Sequence, residues 1–441
     1  MPRNTPCPHP ARRVCLSLAL AAAVTGTLTA CTPADATQAG THSPTGRPGV
    51  TAADEARLAT LAQRVVDAGA PGALVRIDAG HGKAASIARQ ASWARNDHTL
   101  TVNDEFRVGS NTKTMVATVI LQLVAEHRLR LTDPVERWLP GLIPNGSAIT
   151  VRMLLNHTSG LYNIIPGDAD VLRTFTGQDD RRWTPRELIA AGVRHEPLFP
   201  PGTRYSYSNT GYIALGLVAE KATGHSLSEL IQERIAGPLH LKSTYLVDGS
   251  DRTESPRLTH GYEPDASHLA PVLWPGIPAG TAFAGPARPA GYIDATLINE
   301  NTEWAAGSMV SSARDWARFD TALMSGELLP PAQLKEMKTT VAEESGDPNR
   351  YGLGLERKVT PCGTVWGHDG QAPGYSSWNY TDSTGRRTVS VYVPTIFGIA
   401  AAKPAAATEA LLNAAVCAML GNPTPTPTPA ASVSASAPTG S

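Results

Sequence analysis

After Lys113 the apolar residues Met115, Val116, Val119, Ile120, Leu123 and Val124 recur at helical spacing, which predicts a largely buried helix with Ser110 at its N-terminus. The stretch "TAADEARLATLAQRVVDAG" predicts a first helix opened by Thr51, and "PAAATEALLNAAVCAML" predicts a closing one. Elsewhere the period changes. "ALVRID" and "AASIARQASW" read as strands, as do "CGTVWGH", "YSSWNYTD" and "RTVSVYV" near the other end. Two strands early and three late imply one sheet of five strands built from both ends of the chain, an α+β arrangement. The residues between, about 106 to 337, carry helical patches such as "TPRELIAAGV", "YIALGLVAEKATG" and "SARDWARFDTALMSG" among Pro/Gly-rich loops. They predict a mostly helical region inserted into the sheet domain, with a cleft at the junction.

The two ends do not share this patterning. Arg3, Arg12 and Arg13 precede the apolar run "VCLSLALAAAVTGTLTA", which is too short and too punctuated to span a membrane and reads as a secretory signal over residues 1–30. Its ending, Leu28, Thr29, Ala30 and Cys31, resembles the bacterial lipobox, in which the cysteine is lipidated and becomes the new N-terminus. The expected location is the extracytoplasmic face of a bacterial cell membrane, with a lipid anchor as the membrane contact; general secretory and twin-arginine export both stay open. Residues 31–50 read as a flexible tether and residues 421–441 as a disordered Pro/Thr/Ser-rich tail, which leaves a folded domain over 51–420.

With 441 residues, 41% of them hydrophobic, the chain has ample material for a large core. Its formal net charge of -1, with acids and bases interspersed, provides no basic footprint for nucleic acid. Of the five cysteines, Cys7 and Cys15 would leave with the signal and Cys31 would be lipidated. Cys362 and Cys417 remain, and a pair outside the cytoplasm suggests a disulfide between the strand leading to His368 and the closing helix. There is no C-x-x-C and no H-E-x-x-H, so neither a metal nor another cofactor is expected.

An amine at position 113 is out of place as mere structure. Ser110 as a plain N-cap would leave Lys113 snorkelling to water, but a capping box puts Glu or Gln there, and a cation near the positive end of a helix is disfavoured. Ser110 and Lys113 form the one Ser-x-x-Lys in the sequence, which places the amine one turn from the hydroxyl on the same face. Burial and the helix terminus both lower the pKa of such an amine, so that it can take the serine proton near neutral pH. No G-x-S-x-G is present, which removes the α/β-hydrolase elbow. Two further pairs each occur once: Tyr207 with Asn209 in "RYSYSNTGY", and His368 with Gly370 in "WGHDGQAPGYSSW".

Taken in this order, these motifs, with "LLNHTSGL", "AAGSMVSSARDWARF" and "YGLGLE", resemble the serine β-lactamase and penicillin-binding DD-peptidase superfamily, particularly class C β-lactamases and class B-type D-alanyl-D-alanine carboxypeptidases. The resemblance covers roughly Thr51 to Leu420 and implies a five-stranded antiparallel sheet flanked by terminal helices, plus the helical region. It implies Ser110 as acylated nucleophile, Lys113 as its base, and Tyr207 as proton relay to the leaving group, or itself the base if cations lower its pKa. Asn209 would orient the substrate amide and Lys113. His368 would replace the lysine of the commoner Lys-Thr-Gly version, and the backbone N–H groups of Ser110 and Gln371 would form the oxyanion hole. Gly370 would let a substrate strand approach the edge, and Trp304 would be a cleft-wall aromatic or a core residue.

The implied activity is an acyl-enzyme hydrolase, with D-alanyl-D-alanine carboxypeptidase first. A β-lactamase, an esterase or D-aminopeptidase, or a penicillin-binding sensor without turnover are the alternatives, and peptidoglycan stem peptides or other small acyl compounds the partners, with β-lactams as inhibitors or substrates. One departure bears on substrate. Where carboxypeptidases of this type tend to carry hydroxyl residues around the His-x-Gly strand, this chain has Asp369 and Gln371. If Asp369 faces the cleft it repels a C-terminal carboxylate, which Arg357 or Lys358 would offset; if it points away it merely bonds neighbouring backbone.

Overall fold

The structure, a computed structural model, describes residues 49–247, 255–269, 281–343 and 346–424. The signal and Cys31, most of the tether, and the tail from residue 425 onward lie outside the described residues.

Thr51 opens α1 (Ala52–Asp67) with a complete capping box to Asp54, as the pattern predicted. β1 (Gly72–Asp78) and β2 (Ala85–Gln90) follow, and the chain returns to the same sheet only after residue 340, through β3 (Val341–Ala342), β4 (Arg350–Tyr351), β5 (Glu356–Thr360), β6 (Gly363–Ala372), β7 (Tyr375–Thr381) and β8 (Thr388–Val393). The order is β2-β1-β8-β7-β6-β5-β4-β3, every pairing antiparallel. The five expected strands are contiguous within it. Three more extend the β6 edge, so the sheet has eight strands rather than five. The register β1–β8, Leu74 opposite Tyr392, joins the chain's two ends at the centre.

Strand alternation divides the interior in two. Ala73, Val75 and Ile77 of β1, with Val389, Val391 and Val393 of β8, face α1 and the closing helix α5 (Ala402–Leu420) and pack on Leu58, Val65, Leu411 and Cys417. Leu74 and Tyr392 face the opposite way, into the larger core under the inserted region. The expected bridge forms: Cys362, just before β6, joins Cys417 of α5 with 5.2 Å between Cα atoms. Closing the 55-residue separation contributes about 4 kcal/mol in the chain-entropy account. Beyond α5, Asn422 Nδ2 donates to Cys362 O at 2.7 Å, so the folded unit continues past 420 through the first residues assigned to the tail.

The inserted region is mostly helical but also holds two three-stranded sheets, Glu105–Arg107 with Met309–Ser312 and Tyr245–Leu246, and Tyr262–Pro264 with Tyr292–Asp294 and Ala287–Arg288. Its centre is α2 (Thr112–Ala125), buried on nearly all sides, packed on α3 (Asn209–Thr223). Helix α4 (Ala313–Met324) closes the other face of the sheet. Among the described residues no helix is long and apolar enough to cross a membrane.

Candidate active site

Ser110 does not cap α2 but sits in the 3-10 turn Gly109–Asn111 that leads into it. The turn is pinned from both sides. Thr112 Oγ1 donates to Gly109 O at 2.7 Å, and Asn111 Nδ2 donates to Val108 O at 3.1 Å and to Ser377 Oγ of β7 at 2.9 Å. Two glycines allow the turn to press on β6. Gly109 adopts φ 53°, and a Cβ there would overlap the backbone of Gln371; a Cβ on Gly370 would overlap Val108 O and come within 2.9 Å of Ser110 N. Gly370 is therefore required by the protein's own turn, not only by an approaching substrate strand. The same contact brings the backbones of Ser110 and Gln371, the expected oxyanion donors, together.

Lys113 is fully buried one turn along α2. Its Nζ lies 3.0 Å from Ser110 Oγ, 2.8 Å from Asn209 Oδ1 and 2.6 Å from Ala306 O. The last two are acceptors only. A neutral amine must give them its two hydrogens, which aims its lone pair at the Ser110 hydroxyl. Burial lowers its pKa to about 7, against the opposing pull of Glu303, Asp369 and Glu356. Tyr207 behaves differently: burial raises its phenol well above the usual range, with the Ser110 hydroxyl acting the other way. These opposite shifts favour Lys113 over Tyr207 as the group able to accept a proton, and the Tyr207 ring lies 4.7 Å from Lys113 Nζ. Beneath it lies His157 of "LLNHTSGL", ring centroids 4.3 Å apart, whose Nδ1 accepts from Ser208 N at 3.1 Å and so orients the start of α3. Asn209 is the first residue of that helix.

Ser110, Tyr207, Asn209, Asp369, Gly370, Gln371, Arg357 and Lys358 all line one cleft of about 840 Å³ at the junction of sheet and insertion. β5 covers β6 only from Gly363 to Gly367, so from His368 onward that edge of β6 has no strand partner among the described residues. Asp369 faces the cleft rather than away from it.

Two expected residues do not sit there. His368 is 2% exposed and turned under the cleft, its Nε2 2.9 Å from Tyr351 Oη and its Nδ1 against Asp369 O. Burial lowers its pKa to about 4, so it is a neutral ring hydrogen-bonded to Tyr351. Trp304 is a core residue: its ring fills the space left by Gly216 of α3. Its neighbour Glu303 reaches the cleft instead, and Glu343 and Glu356 join it there.

Two groups of ligand-type side chains cluster among the described residues, and both are already engaged within the protein. The carboxylates of Glu356 and Asp369 lie near the His368 ring, but both ring nitrogens are engaged. The group of Asp97, His260 and Asp294 already holds a cation, the Arg288 guanidinium at 2.7 and 2.8 Å from the two carboxylates.

A serine held in a tight turn, a buried lysine whose pKa is lowered to about 7 beside it and the backbone of Gln371 pressed against the same turn are the arrangement of a serine hydrolase that works through an acyl-enzyme. The chain belongs to the Beta-lactamase family, whose model matches residues 58–414. Penicillin-binding protein 4* of Bacillus subtilis (strain 168) is 29% identical over 285 residues, 63% of this chain and 58% of that protein. Esterase EstB of Burkholderia gladioli is 35% identical over 168 residues, 36% of this chain and 41% of that protein. The chain thus spans well under two thirds of the length of these curated relatives. Among solved structures, a D-stereospecific amidohydrolase from Streptomyces sp. is 34% identical with a TM-score of 0.67, covering 78% of this chain and 95% of that one. D-amino acid amidase from Ochrobactrum anthropi SV3, complexed with L-phenylalanine, is 25% identical with a TM-score of 0.71, covering 82% and 98%.

Proposed function

We propose that the protein hydrolyses D-configured amide or peptide substrates through an acyl-enzyme on Ser110. The observation that carries the chemistry is the Lys113 amine held 3.0 Å from Ser110 Oγ by its contacts with Asn209 Oδ1 and Ala306 O. Ser110 Oγ attacks the carbonyl carbon as Lys113 takes its proton. Tyr207 passes its proton to the leaving nitrogen as the C–N bond breaks and regains one from Lys113, and water then hydrolyses the ester, releasing the acid and returning the proton to Ser110 Oγ. The D-configuration rests on similarity to the Streptomyces amidohydrolase and the Ochrobactrum amidase.

At the leaving-group end Asp369 faces the cleft beside Glu356, whose pKa burial raises well above the usual range, and the Asp369 carboxylate favours an uncharged end such as an amide or ester. D-alanyl-D-alanine carboxypeptidase is the second reading, supported by Arg357 and Lys358 in the same wall. The test compares kcat/KM for a D-Ala-D-Ala peptide and its C-terminal amide in wild type and Asp369→Thr. Removing one like charge from beside the carboxylate is expected to raise activity on the free acid roughly tenfold relative to the amide; an equal effect on both assigns Asp369 no part in the choice.

Export and anchoring through Cys31 belong to the same reading, since a cell-wall peptide or β-lactam meets the enzyme outside the cytoplasm. Intact-mass analysis of the membrane fraction is expected to show a diacylglycerol-type increment on Cys31. A detergent-free soluble form beginning downstream of that residue would contradict the anchor.

A further inference from the structure

The acylation chemistry leaves Glu303 unused. It is 3% exposed, yet it lines the same cleft as Ser110, Asn209 and Gln371, and its Oε2 has no hydrogen-bond partner among the described residues. A buried carboxylate oxygen without a donor is costly and persists only where something offsets it. The cations nearby are engaged elsewhere: Lys113 with Ser110, Asn209 and Ala306, and Arg107 with Glu300 at 3.1 Å. The carboxyl is also held in place. It packs against Gly307, where a Cβ would come within 2.6 Å of its Cδ, and it stands on the turn whose next residue, Trp304, takes φ 34°. Any side chain at 307 would displace it.

The position of that turn says which part of a substrate the carboxylate meets. The turn also supplies the carbonyl of Ala306 that holds Lys113, so Glu303 enters the cleft from the segment that supports Lys113, and its charge acts on that amine. Glu356 and Asp369 belong to the opposite, strand side. An α-amine is two bonds from the acyl carbon and stays near that segment once Ser110 is acylated. Burial raises the pKa of Glu303 to about 8 and holds that of Glu356 well above the usual range, so an ammonium set against Glu303 is the partner that would ionise it.

Resting on the acyl-enzyme reading above, we propose that Glu303 is the counter-ion for a primary ammonium on the acyl part of the substrate, so that the site selects aminoacyl compounds with a free α-amine over N-acylated ones. When bound, the ammonium supplies the donor that Oε2 lacks.

The experiment uses the full chain carrying Ser110→Ala, which binds without turnover, and titrates it calorimetrically with D-phenylalaninamide and with N-acetyl-D-phenylalaninamide. The free amine is expected to bind roughly 10- to 100-fold more tightly, as charge-assisted hydrogen bonds do. Adding Glu303→Gln should remove most of that preference, and Glu303→Asp should restore part of it. Equal binding of the two ligands, no binding of the free amine, or a preference that survives Glu303→Gln would overturn the assignment. Failure of the hydrolase reading itself looks different: wild type would turn over neither compound and Ser110 would carry no acyl group by mass, whatever the two ligands' relative affinities.

Discussion

Alanine at Ser110 is expected to lower turnover of every substrate roughly ten-thousand-fold or more, the loss seen when a serine nucleophile is removed from a comparable constellation. It should also abolish covalent labelling by a fluorescent penicillin, because a β-lactam acylates the hydroxyl this site activates. Labelling of the variant at another residue would refute the assignment. Lys113→Ala should lose most activity while the helix stays folded, since its neighbours in α2 are apolar and buried. In wild type the acylation rate is expected to rise with pH through about 7, where burial places the Lys113 amine. The sign of its neighbours' effect follows from their charge. Asp369 and Glu303 both hold the proton on Lys113, so Asp369→Asn should move this limb to lower pH. A limb that survives in Lys113→Ala would assign it to another group.

Gly370→Ala is expected to be nearly as damaging, for a reason that involves no chemistry of its own. The added methyl overlaps Val108 O and crowds Ser110 N and Asn111 Nδ2, groups of a turn already tied to β7. Neither side has room to yield. The strand must move away from Ser110, separating the backbone pair that stabilises the oxyanion, each donor of which is worth about 2.7–4 kcal/mol in acyl transfer. A loss of about 1–3 kcal/mol in stability accompanies this overpacking. Parallel measurement of melting temperature and of kcat separates the two effects, and a Gly370→Ala protein with wild-type kcat would show that the turn and strand are not held as close as described.

The nucleophile and its base were legible because their relation is local: three residues on one helix face need no knowledge of the rest of the fold. Tyr207, Asn209 and Gly370 were legible as pairs that occur once and in a recognisable order. Glu303, Glu343 and Glu356 were not, because no spacing links residue 303 to residues 343 and 356 and only the folded chain brings the three carboxyls to one cleft; His157 and Tyr351 lay in quoted motifs, but their packing under Tyr207 and His368 is a matter of tertiary structure. Trp304 was ambiguous for a related reason. An aromatic beside "AAGS" fits a cleft wall as well as a core, and the deciding residue, Gly216, is far away in sequence on α3. His368 was placed one step off because alternation tells which residues share a face but not which face a twisted strand turns to the cleft. The extra strands escaped notice since two of them are two residues long and the third, "ERKVT", carries charge where alternation would show apolar residues.

That the sheet's centre pairs residues near the chain's two ends also dictates an order of events in folding. Val75 meets Val391, and Asn111 meets Ser377, contacts that close loops of more than 250 residues. Loop-closure entropy must be overcome before such contacts reward it, so this topology belongs with slow-folding, high-contact-order domains. During synthesis Ser110 and Lys113 exist long before β6 and β8. A nascent chain therefore has its nucleophile and base but neither the strand carrying Gln371 nor the core that dries Lys113, and catalytic competence arrives only when the last strands close on the first.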